Sequence, residues 1–458
     1  MKKIIILFLI TFLGGTVLLS ADDSFKDIFP WNNKPDYRPG PKVINVWSFN
    51  DLISGYIDKF MELHPDFDYE INSVVISTYD GIYQPELDAA LAGGEEDAPD
   101  IYVLESAFVQ KYIQGEFSRF AAPYKELGID VDKLIEEAGI SRYIIDIGTN
   151  PDTGEIIGLS YGSDGGALIY RRSIARDVWG TDDPEVVGDI TGPGWKKFLD
   201  AAKNLRKKGY RIVAGRDDVW TAIQYGSQMG WIEDGKLCID PSREAFLDIA
   251  KIMSDNNFHN DHEAWGPGWF DDLRSNYKQK KVFAYLGPAW FVNYVMAPNS
   301  GGQKKGAGTF GDWALALPPS GFYWGGVWIM ANKNSRVKKA VGEIIEWMTL
   351  DYSNEGLQYF LANGALDGSD GTKETVASKT VMARSDGSLP FLDDQNIFNI
   401  FIPADNMVNC GSYNEHDSDI GLIWLEQVDY YVSGVKTKEK AMADFKAIVS
   451  YEYNIPIE

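Results

Sequence analysis

The chain has 458 residues, of which 45% are apolar, 24% charged and 13% aromatic; this excludes a largely disordered protein and is too long for one ordinary hydrophobic core. Its 43 basic residues face 67 acidic ones, a formal charge of −24, which argues against nucleic acid or an anionic membrane surface as partner. Two lobes are expected.

Lys2 and Lys3 precede an apolar run over 4–19, and Ser20-Ala21-Asp22-Asp23 then turns the chain polar. This is the layout of a cleavable signal peptide over 1–21, with a periplasmic or secreted mature protein; a retained anchor is the alternative. No cysteine stands near the cleavage site to accept a lipid. Residues 22–40, with Pro30, Pro35 and Pro39, read as a linker.

Order begins with the β-type run Val43-Ile44-Asn45-Val46-Trp47. Leu52, Ile53, Tyr56, Ile57, Phe60 and Met61 then form a helical stripe, with Asn50 or Asp51 as cap and His64-Pro65 as stop. The pattern predicts a strand over 71–76, a helix over 85–92 ended by Gly93-Gly94, and a strand over 101–104. Strands over 156–159 and 167–170 flank the glycine-rich 162–166, read as a hinge crossing because glycine tolerates unusual dihedrals. Helices are predicted over 195–208 and 243–255, the second capped by Ser242, and strands over 282–286 and 313–317. Ser335 is expected to cap a helix reaching about residue 350, and two amphipathic helices follow over 420–432 and 438–451, the last behind Thr437. Strand alternating with helix calls for parallel sheets.

Aromatics and carboxylates recur in small-residue turns beyond these strands, as in Trp47-Ser48-Phe49-Asn50-Asp51, Leu104-Glu105-Ser106 and Tyr323-Trp324-Gly325-Gly326. Loops beyond strand carboxyl ends are where α/β proteins hold ligands. Flat rings beside carboxylates suit a molecule with an apolar face and a rim of hydroxyls, which a sugar is. Asn50, Asp51, Glu105 and Asp164 are the candidate hydrogen-bonding groups, since carboxylates accept hydroxyls in charge-assisted bonds. Asp51 as a plain helix cap and Glu105 as a partner of a lysine are the alternatives. Trp265, Trp269, Trp290, Trp324 and Tyr413 are the candidate stacking rings, weighed against ordinary core packing.

His259, Asp261, His262 and Glu263 lack the spacing of a zinc site and read as a solvated loop. Asp367-Gly368-Ser369-Asp370-Gly371 begins like a calcium loop, but Thr372 stands where that loop needs glycine, so a turn is expected. No GxSxG elbow, Walker loop or HExxH helix is present. No catalytic residue, metal or cofactor is therefore expected. Cys238 and Cys410 are the only cysteines, and spacing leaves their pairing open.

Five segments stand in a recognisable order: Ala98-Pro99-Asp100-Ile101-Tyr102-Val103, Gly154-Glu155-Ile156-Ile157-Gly158-Leu159-Ser160-Tyr161, Ala167-Leu168-Ile169-Tyr170-Arg171-Arg172, Gly287-Pro288-Ala289-Trp290-Phe291 and Gly325-Gly326-Val327-Trp328-Ile329-Met330-Ala331. With these, residues 43–450 resemble the extracellular solute-binding proteins of ABC importers, specifically the maltose-binding-like family 1. The resemblance implies a two-lobed periplasmic-binding-protein fold of type II, each lobe a mainly parallel sheet flanked by helices and joined by a hinge. It divides the chain into an N-terminal lobe (41–164 and 325–362) and a C-terminal lobe (165–324 and 363–458). It implies a non-enzymatic monomer that captures a sugar or oligosaccharide between the lobes and delivers it to ABC permease subunits in the inner membrane. Trp220 and Trp290 match aromatic positions of the family's site. Ser160 replaces the family's hinge proline, and Leu104 stands where some relatives place a tryptophan. A secreted glycoside hydrolase or lyase is the alternative, because sugar clefts also hold paired carboxylates.

Overall fold

The strand Val43–Ser48 (β1) is buried from Ile44 onward, as an apolar run at the centre of a covered sheet must be. The computed structural model describes residues 41–78, 81–94, 98–274, 281–366, 368–409 and 416–456. The expected signal peptide and linker, Cys410 and Tyr413 lie outside the described residues.

β1 pairs in parallel with Glu70–Val75 (β2) on one side and with Ile101–Glu105 (β3) on the other. The sheet continues through Val327–Ala331 (β10) to Gly158–Ser160 (β4), both junctions antiparallel, in the order β2-β1-β3-β10-β4. A second sheet centres on Ala167–Arg171 (β5), antiparallel to both Ala284–Gly287 (β8) and Trp313–Ala316 (β9). Single parallel bridges, Arg211 to Val282 and Val213 to His259, extend it. Two small hairpins, Ile232–Glu233 (β6) with Lys236–Leu237 (β7) and Ser388–Leu389 (β11) with Gln395–Asn396 (β12), complete the strands.

The two-lobed α/β architecture is as expected, but the sheets are mixed where parallel ones were anticipated. The reason is topological. A parallel pair needs a crossover within one sheet, whereas β5 and β10 each enter their sheet from the other lobe.

Side chains of β5 alternate between two cores: Ala167 and Ile169 join a cluster that includes the first sheet, while Leu168 and Tyr170 join one built on Phe198, Leu205, Phe246, Trp424 and Phe445. Both faces of the second sheet are thus covered.

Local signals at helix ends differ in detail from the sequence reading. The helix Pro241–Asp255 is capped by Asp240, which accepts from Ser242 N at 2.7 Å, with Pro241 in the first turn; Ser242 is already inside. Ser335 precedes the helix Lys338–Thr349 without capping it and instead donates to Asp100 at 2.6 Å. Asn50, not the Asp51 side chain, accepts from Leu52 N (3.2 Å) at the start of Leu52–Leu63. Thr437 does cap Lys438–Tyr453, accepting from Lys440 N at 3.2 Å. Cys238 is a half-buried free thiol. Among the described residues no helix is long and apolar enough to cross a membrane, and no group of three or more His, Cys, Asp or Glu is placed to hold a metal.

The segment 161–166 links the lobes and is paired on both sides. Gly166 N donates to Phe322 O at 2.8 Å and Trp324 N to Asp164 O at 2.9 Å on one flank; Ser163 N donates to Thr375 O at 3.3 Å and Ala377 N to Tyr161 O at 2.9 Å on the other. Three stretches of chain therefore run side by side between the lobes.

Candidate functional site

Asp164 sits in the middle of this band. Its backbone is fixed at both ends, N donating to the Tyr143 hydroxyl at 2.7 Å and O accepting from Trp324, while no hydrogen bond reaches its carboxylate among the described residues. That carboxylate faces Gly326, where a Cβ would stand 3.3 Å from Oδ2. Gly325 and Gly326 take φ of 92° and 118°, a region that L side chains rarely adopt. A Cβ on Gly325 would meet Trp290 Nε1 at 2.9 Å. The glycine pair thus forms a bare floor between a carboxylate and an indole.

Three half-buried indoles wall this floor. Trp290 and Trp324 meet edge to face with centroids 5.0 Å apart, and Trp265 lies 5.9 Å from Trp324. Trp265, held at φ 67°, stacks on Trp269 at 5.5 Å. Trp269 itself is buried, its Nε1 donating to Asp218 at 2.9 Å, so it backs the wall.

Glu105 ends β3 opposite Val327 of β10, and the next residue, Ser106, donates its N–H to Gly326 O at 3.1 Å. This brings Glu105 to the same glycine pair as Asp164. No ion pair to Glu105 exists among the described residues, so the lysine partner considered from sequence is not found. Burial, and then the Glu105 charge, raise the pKa of the Tyr225 hydroxyl, and Tyr225 contacts Tyr323 (5.8 Å), which stacks on Tyr143 (5.4 Å).

Burial dominates the electrostatics. Desolvation, then the charges of Asp405 and Glu374, push the Asp164 carboxyl up to about 8. Burial likewise raises Glu105 and Glu374 to about 7, and Asp405 to about 6. Asp405 is partly held down by the hydroxyls of Ser163 and Ser141, the latter donating at 2.8 Å, and Glu374 accepts from the Tyr294 hydroxyl. Flat rings beside underused acceptors can stack on an apolar face and accept from hydroxyls or cations.

Of the residues singled out from sequence, the structure gathers Glu105, Asp164, Trp265, Trp290 and Trp324, with Trp269 behind them. Trp220 is different. It is 4% exposed and packs on Phe246 at 5.0 Å, because Val219, Trp220 and Ile223 form the inward stripe of the helix Arg216–Gln224. Asn50 is engaged at a helix start and Asp51 is exposed, both just past the carboxyl end of β1, which lies parallel to β3. Sequence reasoning missed Tyr143, Tyr225, Glu374 and Asp405.

Residues 55–364 match the model of the bacterial extracellular solute-binding protein family. The chain belongs to that family. The resemblance read from its motifs is thereby borne out. This solute-binding protein is 27% identical over 207 residues to a lactose-binding protein of Rhizobium radiobacter, a match spanning 43% of this chain and 44% of that relative. Its fold is that of the galacto-N-biose/lacto-N-biose I-binding protein of an ABC transporter from Bifidobacterium longum, with TM-score 0.64 at 15% identity over 92% of this chain and 100% of that one. It is also that of the sugar-binding protein MalE of Xanthomonas citri, with TM-score 0.68 at 14% identity over 90% and 97% of the two chains.

Proposed function

We propose that this solute-binding protein is the extracytoplasmic component of an ABC importer, capturing a sugar or oligosaccharide between its lobes and handing it to permease subunits in the inner membrane. The observation that carries the reading is the wall of Trp265, Trp290 and Trp324 around the Gly325-Gly326 pair that the Asp164 carboxylate faces and that the end of β3 at Glu105 adjoins, at the band where the chain crosses between lobes. The sugars named for its relatives support the same ligand class. In this reading the lobes comprise 41–164 with 325–362 and 165–324 with 363–458. Asn50 and Asp51, beyond the carboxyl end of β1 beside that of β3, reach the outer units of a longer ligand. The protein acts as an exported monomer and carries no chemistry of its own.

A ligand that touches both lobes binds the closed state better than the open one, and that difference drives closure. The test is a panel of mono- and oligosaccharides scored by melting temperature, since a ligand bound only by the folded state must stabilise it. At least one sugar should raise the melting temperature and be recovered intact by chromatography. A panel without any shift overturns the sugar reading, and cleaved product points to a glycoside hydrolase or lyase.

A further inference from the structure

Asp405 is 3% exposed and so out of a ligand's reach, yet two separate segments spend hydroxyls on it. Ser141 stands at the cap position of the helix Arg142–Gly148 but caps nothing there; it donates to Asp405 Oδ2 at 2.8 Å instead. Ser163 of the crossing donates to the same oxygen. Ser163 Oγ also lies 3.4 Å from the Tyr143 hydroxyl. With its own proton given to Asp405 it accepts the tyrosine's, since the Tyr143 oxygen already takes the Asp164 N–H. Through Ser163 and Tyr143, Asp405 thus orients the residue whose carboxylate faces the Gly325-Gly326 floor.

The same carboxylate joins what the two sheets carry. The helix Phe398–Asp405 packs on β5 of the second sheet, and Arg142–Gly148 packs on β4 of the first. Pairing with Tyr323 turns the Gly165 N–H away from that strand. It lies toward Asp405, close enough to help keep the carboxyl from rising further, but Oδ1 has no completed hydrogen bond among the described residues. A buried acceptor short of a donor is costly. Movement at the crossing that brings the Gly165 N–H onto Oδ1 is therefore favoured, most strongly while Asp405 is ionised.

Resting on the sugar-binding reading, we propose that Asp405 is a positioning residue for capture: ionised, it draws the Gly165 N–H onto Oδ1 and favours the closed arrangement of the lobes, raising the affinity of every ligand without touching one. Facing it are the Ser141, Ser163 and Tyr143 hydroxyls, the Asp164 carboxylate and, from the helix Lys379–Ala383, the Lys379 ammonium. In β5, Arg171 is committed to Asp312. Burial outweighs the hydroxyls and Lys379 and leaves the Asp405 carboxyl at about 6, so acidification through that value removes the charge.

The experiment compares the parent with Asp405→Asn by X-ray scattering and sugar titration. At about pH 7.5 the unliganded variant should have the larger radius of gyration, and acidifying the parent to about pH 5 should bring it to the variant's value while the variant stays put. Every sugar that binds the parent should bind the variant about tenfold more weakly, by one common factor, because a smaller closed population lowers all apparent affinities alike. With saturating sugar the two radii should coincide. Ser141→Ala, which keeps the charge and loses one donor to it, should shift both readings the same way by less, and it decides the matter if Asp405→Asn does not fold. An unchanged radius in the unliganded variant overturns the proposal whether or not any sugar binds. So do radii that still differ at saturation, and affinity losses that vary from sugar to sugar, which would make Asp405 a ligand contact. If no sugar shifts the parent's melting, the sugar reading falls by itself and the scattering comparison still decides what Asp405 does.

Discussion

The indole N–H of Trp290 donates to the carbonyl oxygen of Trp324 at 2.9 Å, and the two rings meet edge to face. Each ring therefore fixes the other, and the wall is set before any ligand arrives. Trp290→Phe keeps a ring but deletes this bond, at a cost of about 1 kcal/mol. Sugar affinity should drop about tenfold with a melting temperature lowered by only a few degrees, read by calorimetry and thermal unfolding.

Trp220 separates core from cleft. Trp220→Ala should cost about 3–5 kcal/mol of stability in denaturant unfolding, because it empties a packed site against Phe246. The folded fraction should bind sugar as the parent does. A selective loss of affinity at unchanged stability would move Trp220 into the site.

The four acids at the crossing should each contribute to stability in the same direction with pH. Glu105, Asp164, Glu374 and Asp405 all hold protons more tightly when folded than when unfolded. Their contribution is complete below the unfolded carboxylate range near pH 4 and is lost as pH climbs to about 8. Asp164→Asn should raise the melting temperature relative to the parent at about pH 9 and leave it nearly unchanged at about pH 4. Melting curves across this range decide the matter, and a variant less stable at alkaline pH would refute the assignment.

The crossing tolerates no side chain at two of its glycines. A Cβ on Gly165 would lie 2.0 Å from Asp405 Oδ1, and one on Gly326 would lie 2.6 Å from the Trp328 ring at a φ of 118°. Gly165→Ala and Gly326→Ala should each cost about 1–3 kcal/mol in denaturant unfolding, and the second should also weaken sugar binding by raising the floor.

The frame of this molecule is legible in its sequence where the signal is local. Apolar runs announce β1 and β3, glycines mark the crossing at 162–166, and a family match points to Trp290; the turn without helical period expected for Trp265 and Trp269 holds only Trp265, since Trp269 lies in the helix Pro267–Arg274 and is buried. The rest depends on distance along the chain. Glu374 and Asp405 reach Asp164 from segments some two hundred residues away, and Tyr225 meets Glu105 only because the lobes face each other. Trp220 packs inward because Val219, Trp220 and Ile223 form one helical stripe, and a match to a family aromatic position does not show which way the helix turns. Strand direction was likewise hidden, since neither β5 nor β10 is joined to its neighbours by a local crossover.

The most direct measurement is a calorimetric titration of the best sugar from the melting panel into the parent protein and Trp290→Ala, with circular dichroism confirming equal folding. The account requires affinity to fall at least about tenfold in the variant. Equal affinity in two equally folded proteins would contradict it.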